Sequence, residues 1–265
     1  MNNNYIDHTI AIPFEFIMIL LFVALLLIYI GVGIASSRYL HLRKWPLYRY
    51  VFYILGILCV AASVIGPLAN RAHMDFTAHM VGHLLLGMLA PLLLALSAPM
   101  TLLLRTLHVT AARRLSRMLK SQLMRIPSHP IVASFLNIGG LWLLYTTDLY
   151  ALMNENFFLH LMIHLHVFLA GYLFTVSMIY IDPIAHRFSF VYRAVVFVIA
   201  LAGHGILSKY IYANPPAGIP AAQAEIGGMI MYYGGDAIDI VLIFILCLQW
   251  YKATRPRMSV SMGGK

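Results

Sequence analysis

The sequence predicts an all-α, polytopic membrane helix bundle of seven transmembrane helices, with the N-terminus outside and the C-terminus inside. Three observations carry this. Of 265 residues, 62% are hydrophobic and only 10% charged, against about 45–50% and roughly a quarter in soluble domains. Mean hydropathy is +0.83, which excludes a soluble enzyme or a disordered chain. Charge-free runs of bilayer-spanning length recur along the chain. Lys and Arg gather in alternate loops, as the positive-inside rule requires.

The spans are placed by those runs. Residues 16–37, 50–70, 76–104, 126–147 and 156–181 carry no charge. Each run reaches the roughly 20 residues needed to cross about 30 Å of hydrocarbon. The interval 194–208 extends through Ile211 and Tyr212, and a last run from Gly227 to Trp250 carries Asp236 and Asp239. The expected helices are 14–36, 47–68, 77–104, 131–152, 157–181, 190–213 and 227–250. The runs are continuously apolar and do not alternate, so a β-barrel is not expected. The first run is too long for a cleavable signal peptide and has no preceding Lys or Arg. Pro91 and Pro99 should kink the third helix. Residues 1–265 read as one integral membrane domain, without internal repeat or soluble linker.

Sixteen of the eighteen Lys and Arg fall on one side, leaving Arg71 and Lys209 opposite. That bias sets the N-out, C-in orientation across the cell membrane. The net charge of +9 then reports basic cytoplasmic loops rather than a nucleic-acid partner. The basic cytoplasmic loop 105–130 holds an amphipathic stretch, Arg113 to Met124, suited to anionic membrane lipid. Two cysteines, Cys59 and Cys247, exclude a disulfide scaffold and a Cys-rich metal site.

The twelve histidines sort by side. His41, His108, His129 and His186 fall in cytoplasmic loops and read as interfacial residues. His8 lies in the N-terminal segment. The others lie near the outer surface. His79 and His83 are four apart, so they share a helix face about 6 Å apart along the axis. His160 and His164 repeat that spacing two spans later. His204 lies in the sixth span between Gly203 and Gly205, and Met229, Met231 and Asp236 descend the seventh. Imidazole with nearby thioether suits copper, above all Cu(I), though zinc would accept the nitrogens. Polar groups inside a membrane are costly, which points to a site. His73 and His166 read as ordinary interfacial residues, and His166 lies on a different face from His164. The partners of Asp236 and Asp239 stay open.

These residues also carry a resemblance. His79-Met80-Val81-Gly82-His83, continuing through Pro91, Ser97-Ala98-Pro99 and Leu102 to Arg105, resembles the multi-pass CtaG family of cytochrome c oxidase (caa3-type) assembly factors. His160-x3-His164 with Gly171 and Phe174, Gly203-His204-Gly205 and Glu225 to Met231 match in order, so the likeness covers about residues 70–245. It implies an assembly factor that is not an enzyme and that hands copper, held transiently, to the oxidase binuclear (CuB) centre. The implied partners are oxidase subunit I or its assembly intermediates, with a copper donor protein. Carried over by position, the implied metal ligands are His79, His83, His160 and His164, with His204 and Met231 beside them. Where many members have a histidine late in the fourth span, this chain has Tyr145-Thr146-Thr147.

Three other readings compete. A copper transporter would use the same ligands. A haem-b electron carrier would need axial histidines from two helices, with Gly171 or Gly203 making room for the porphyrin. A di-iron membrane enzyme would need more histidines, on the cytoplasmic side.

Overall fold

The protein is an all-helical bundle in the computed structural model, which describes residues 3–38, 43–184 and 186–255. Among these there is no strand. Among the described residues, six helices are long and apolar enough to cross a membrane, and a bent pair makes a seventh if taken as one span.

The first span belongs to α1 (Asn3–Arg38) and the second is α2 (Leu47–Val64). The expected second span, 47–68, ends early because Gly66 takes φ 84°, a conformation glycine adopts without a Cβ penalty. Pro67 then starts the short α3 (Pro67–Ala72). The third span is one path in four pieces: α4 (Phe76–Leu84), a π-helical turn (Leu85–Leu89), α5 (Ala90–Ser97) and α6 (Pro99–Thr106). Asp75 caps α4 by accepting from the Thr77 N–H. Burial raises the Asp75 carboxyl, but the hydrogen bonds from Thr77 and Arg71 outweigh it and hold it below its ordinary value.

The two prolines explain the breaks. Pro91 has no N–H for the carbonyl four residues earlier, and the turn before it widens to π geometry. Ala98, just before Pro99, adopts φ 51° and ψ 57°. The carbonyl of Ser97, exposed by that break, accepts from the Tyr29 hydroxyl at 2.7 Å. The freed start of α6 donates Met100 N–H and Thr101 N–H to Asp182 at 3.1 and 2.7 Å, a side-chain cap supplied from elsewhere in the chain.

The basic loop forms two surface helices, α7 (Val109–Leu119) and α8 (Gln122–Arg125). The fourth span follows as α9 (Pro130–Ser134), a second π-helical turn (Phe135–Gly139) and α10 (Gly140–Thr146). Here the structure corrects the expected 131–152 span. The chain turns by 80° into α11 (Leu149–Glu155). Thr146 and Thr147 each bond back to a carbonyl four residues earlier, which ends the helix with its carbonyls satisfied. The last three spans are α12 (Phe157–Met178), α13 (Phe190–Ala213) and α14 (Ala221–Thr254). Asn156 and Ser189 cap the first two by accepting from Leu159 N–H and Tyr192 N–H.

The third span is more deeply buried than the other five long apolar helices among the described residues. α14 packs along α13 and α4, α12 packs against the first π turn and α9, and α1 lies at the periphery on α2 and α6. At one crossing, a Cβ on Gly171 of α12 would overlap the carbonyl oxygen of Gly87. Small residues let two helix backbones touch in this way. One apolar cluster, with Phe76, Met80, Leu144, Leu207 and Met231, occupies the end of the bundle near α11. Another, with Leu92, Phe174, Phe197 and Leu246, fills the opposite half. Large apolar side chains such as Leu20, Ile199 and Phe244 face outward, a surface that lipid solvates and water does not.

Candidate functional site

The first HxxxH pair sits on the buried face of α4. His79 and His83 are 7% and 6% exposed, so neither points into lipid. α12 presents the second pair beside them. His160 and His164 stack with ring centroids 4.1 Å apart, and His164 meets His79 edge-on at 6.5 Å. His79, His83 and His164 line one cavity together with Tyr145 of α10. It holds about 20 Å³, room for one water-sized guest.

The hydrogen bonds fix much of the ring chemistry. His164 Nδ1 lies 3.0 Å from the His160 carbonyl. A carbonyl only accepts, so Nδ1 carries the proton and Nε2 keeps its lone pair. Backbone anchoring of one ring nitrogen is how metal-ligating histidines are commonly oriented. His79 Nε2 shares a 3.0 Å hydrogen bond with the Tyr145 hydroxyl, which leaves Nδ1 for another partner. Tyr145 and Tyr150 both contact the His79 ring edge-on. The Nε2 of His83, the Nδ1 of His160 and the Nε2 of His204 are buried without a hydrogen-bond partner. Orphaned nitrogens of this kind are costly and call for an explanation.

Each remaining candidate has a definite place. His204, 5% exposed, borders a second cavity with His83 and Asp239. Met231 is fully buried in the apolar cluster with Phe76 and Met80. Met229 and Asp236 face outward, so of the two aspartates on α14 it is Asp239 that turns inward. His166 is exposed and donates Nε2–H to the Leu136 carbonyl at 3.1 Å, away from the cluster. His73 is exposed, yet its ring packs on His160 at 4.8 Å. It extends the row of imidazoles to the surface, which its position in the sequence did not announce. His108 pairs with Thr110, His129 packs on Phe188 and Tyr192, and His186 is exposed. His41 lies outside the described residues, as does the side chain of His8.

Among the described residues, no three His, Cys, Asp or Glu side chains form a group that could hold a metal ion. The site is therefore not a closed tetrahedral centre of the structural zinc type. It offers imidazoles in ones and twos, joined by a phenol.

The sequence profile described as cytochrome c oxidase caa3 assembly factor (CtaG) matches residues 16–253. The chain belongs to this family. The match runs well beyond the region near 70–245 that carries the visible motifs. The chain is also 27% identical over 251 residues to an uncharacterized protein of Mycobacterium leprae, covering 85% of this chain and 38% of that one. Uncharacterized proteins of Mycobacterium bovis and Mycobacterium tuberculosis are 27% identical over 236 residues, 80% of this chain and 35% of theirs. This member of the CtaG family thus spans little more than a third of those curated relatives. No solved structure matches it significantly.

The structure also bears on the haem alternative. The space beside Gly171 is filled by the Gly87 carbonyl and Pro91. A Cβ on Gly203 would lie 3.1 Å from Ile138. Neither glycine opens a slot for a porphyrin.

Proposed function

We propose that the protein serves cytochrome c oxidase assembly by holding copper for the oxidase binuclear CuB centre, at the cavity ringed by His79, His83 and His164. His160 and His73 form the approach from the membrane face opposite the basic loops. The partners are oxidase subunit I or its assembly intermediates and a copper donor, and the protein sits in the cell membrane, N-out and C-in. No catalytic step is assigned to it.

The observation that carries this reading is the meeting of the two HxxxH pairs. Their imidazoles, otherwise expensive inside a membrane, come within ring-contact distance around one small cavity. Neutral imidazole nitrogens suit copper, as they do zinc, and the absence of thiolates keeps the site exchangeable. Cu(I) is satisfied by two such donors, so a pair of rings can grip it and a third can take it over. That is the behaviour required of a carrier, which must shield its cargo and still release it.

His79→Ala and His164→Ala should each lower Cu(I) binding by the purified protein and lower assembled oxidase in the membrane, with normal insertion of the protein itself. His108→Ala, His129→Ala and His186→Ala should leave both near normal. Loss of assembly in those three with retention in His79→Ala would refute the site.

A further inference from the structure

We infer that the protein has a second metal station, deeper in the bundle, in which His83 and His204 grip a monovalent cation beside Asp239. It rests on the copper reading of the outer cavity and extends it inward.

Three independent features meet at this second cavity. First, His83 and His204 come from different helices, each is more than nine-tenths buried, and each has an Nε2 without a hydrogen-bond partner. Two unpaired acceptor-capable nitrogens bordering one chamber are an incomplete arrangement, because each forfeits the hydrogen bond it had in water. A shared guest completes both. Second, Asp239 is 4% exposed and lines the same chamber, along with Asn137 and Thr175. A cation between two neutral imidazoles with a carboxylate alongside is close to net neutral, which a low-dielectric interior tolerates far better than an isolated charge. Third, both π-helical turns border the chamber, one through Gly87 and the other through Asn137. Such turns are uncommon and frequently mark functional sites.

The glycine opposite His204 fits the same purpose. A Cβ on Gly235 would lie 2.6 Å from His204 Cε1, so the bare backbone there gives the imidazole its place against α14. The chamber holds about 20 Å³, enough for one ion and no chelating molecule. The ligand class is a soft monovalent metal ion, Cu(I) or its mimic Ag(I), because the two imidazole nitrogens without a partner suit copper and the one carboxylate beside them matches a single positive charge. His83 borders both cavities, so one imidazole links the outer station to the inner.

The experiment is anaerobic titration of the full chain in detergent with Cu(I), using bicinchoninate as competitor, and with Ag(I) as a second probe. The wild type should bind two equivalents. His204→Ala should bind one, with the remaining affinity unchanged, and His164→Ala should lose the other. Asp239→Asn, which keeps the side-chain shape, should weaken only the second equivalent, by about tenfold. Gly235→Ala should do the same by displacing the His204 ring. A wild type that binds one equivalent, unaffected by His204→Ala and Gly235→Ala, would overturn the inner station and leave the outer reading intact. A wild type that binds neither metal would overturn both.

Discussion

Gly171→Ala tests the crossing that sets the distance between the two histidine pairs. In α12 the Cα of Gly171 lies against the backbone of the first π turn. An added Cβ would overlap the Gly87 oxygen, and would also sit 3.0 Å from its carbonyl carbon and 3.3 Å from Pro91 Cγ. These atoms belong to backbone and a proline ring, so no rotamer change relieves the clash. The helices must separate, by on the order of 1 Å. Helix propensity favours alanine over glycine by about 1 kcal/mol. Overpacking of a rigid contact costs about 1–3 kcal/mol, and the absence of a movable neighbour puts this site at the upper end. The net loss is therefore about 1–2 kcal/mol, a melting temperature lower by about 2–8 °C at 2–4 °C per kcal/mol. Gly82→Ala is the control, because nothing lies within 4 Å of its added Cβ. That variant should melt at or above the wild-type temperature. Thermal unfolding of the detergent-purified proteins, followed by intrinsic fluorescence, measures both. Gly171→Ala melting as high as Gly82→Ala would show that the helices do not touch at this crossing.

Other expected outcomes follow from single contacts. Tyr145→Phe removes the hydroxyl bonded to His79 Nε2 while keeping the ring. It should leave the fold intact and weaken Cu(I) binding by about tenfold, read by competition titration, and unchanged affinity would mean the phenol does not orient His79. Asp182→Ala strips the cap from α6 and should destabilise the protein by about 0.5–2 kcal/mol, with metal stoichiometry unaltered, measured by the same melting assay. A reporter fused to the C-terminus should be active only in the cytoplasm, since the expected topology gathers sixteen of eighteen Lys and Arg on one side and the positive-inside rule makes that side cytoplasmic; an external C-terminus would reverse the orientation.

The spans could be read from the sequence because desolvating a charge in hydrocarbon is so costly that its absence marks them. The HxxxH pairs could be read because a four-residue spacing places both rings on one face whatever surrounds the helix. What surrounds the helix could not be read. Asp236 and Asp239 look equivalent in the sequence, yet only Asp239 faces the bundle, because rotation about the axis of α14 is set by its contacts with α13 and α4. The 80° bend falls at Thr147 and Asp148, where the uncharged run 126–147 ends, and no proline announces it. Tyr145 stood out only as a departure from a family histidine. The structure places its hydroxyl on His79, so the position still serves the cluster through a different atom. His73 reads as interfacial because a single residue carries no periodicity, and only the fold shows that its ring packs, tilted, on His160.

The breaks in the third and fourth spans are part of how the cluster is built. A regular helix presents one stripe of residues to one neighbour, and its apolar stripe would carry straight through the bundle. A π turn inserts one extra residue, which rotates everything beyond it by about 100°. Between Leu85 and Leu89 that rotation separates two tasks. Before it, His79 and His83 face the cavities, and after it Leu92 faces the apolar cluster with Phe174 and Phe197. The second π turn brings Asn137 to the chamber shared by His83 and His204. Pro91, which cannot donate to the Gly87 carbonyl, leaves that oxygen for the contact with Gly171, so the same break brings α12 close. The proline, the two glycines and the histidine pairs therefore act as one unit, and their spacing along the chain matters as much as the ligands themselves.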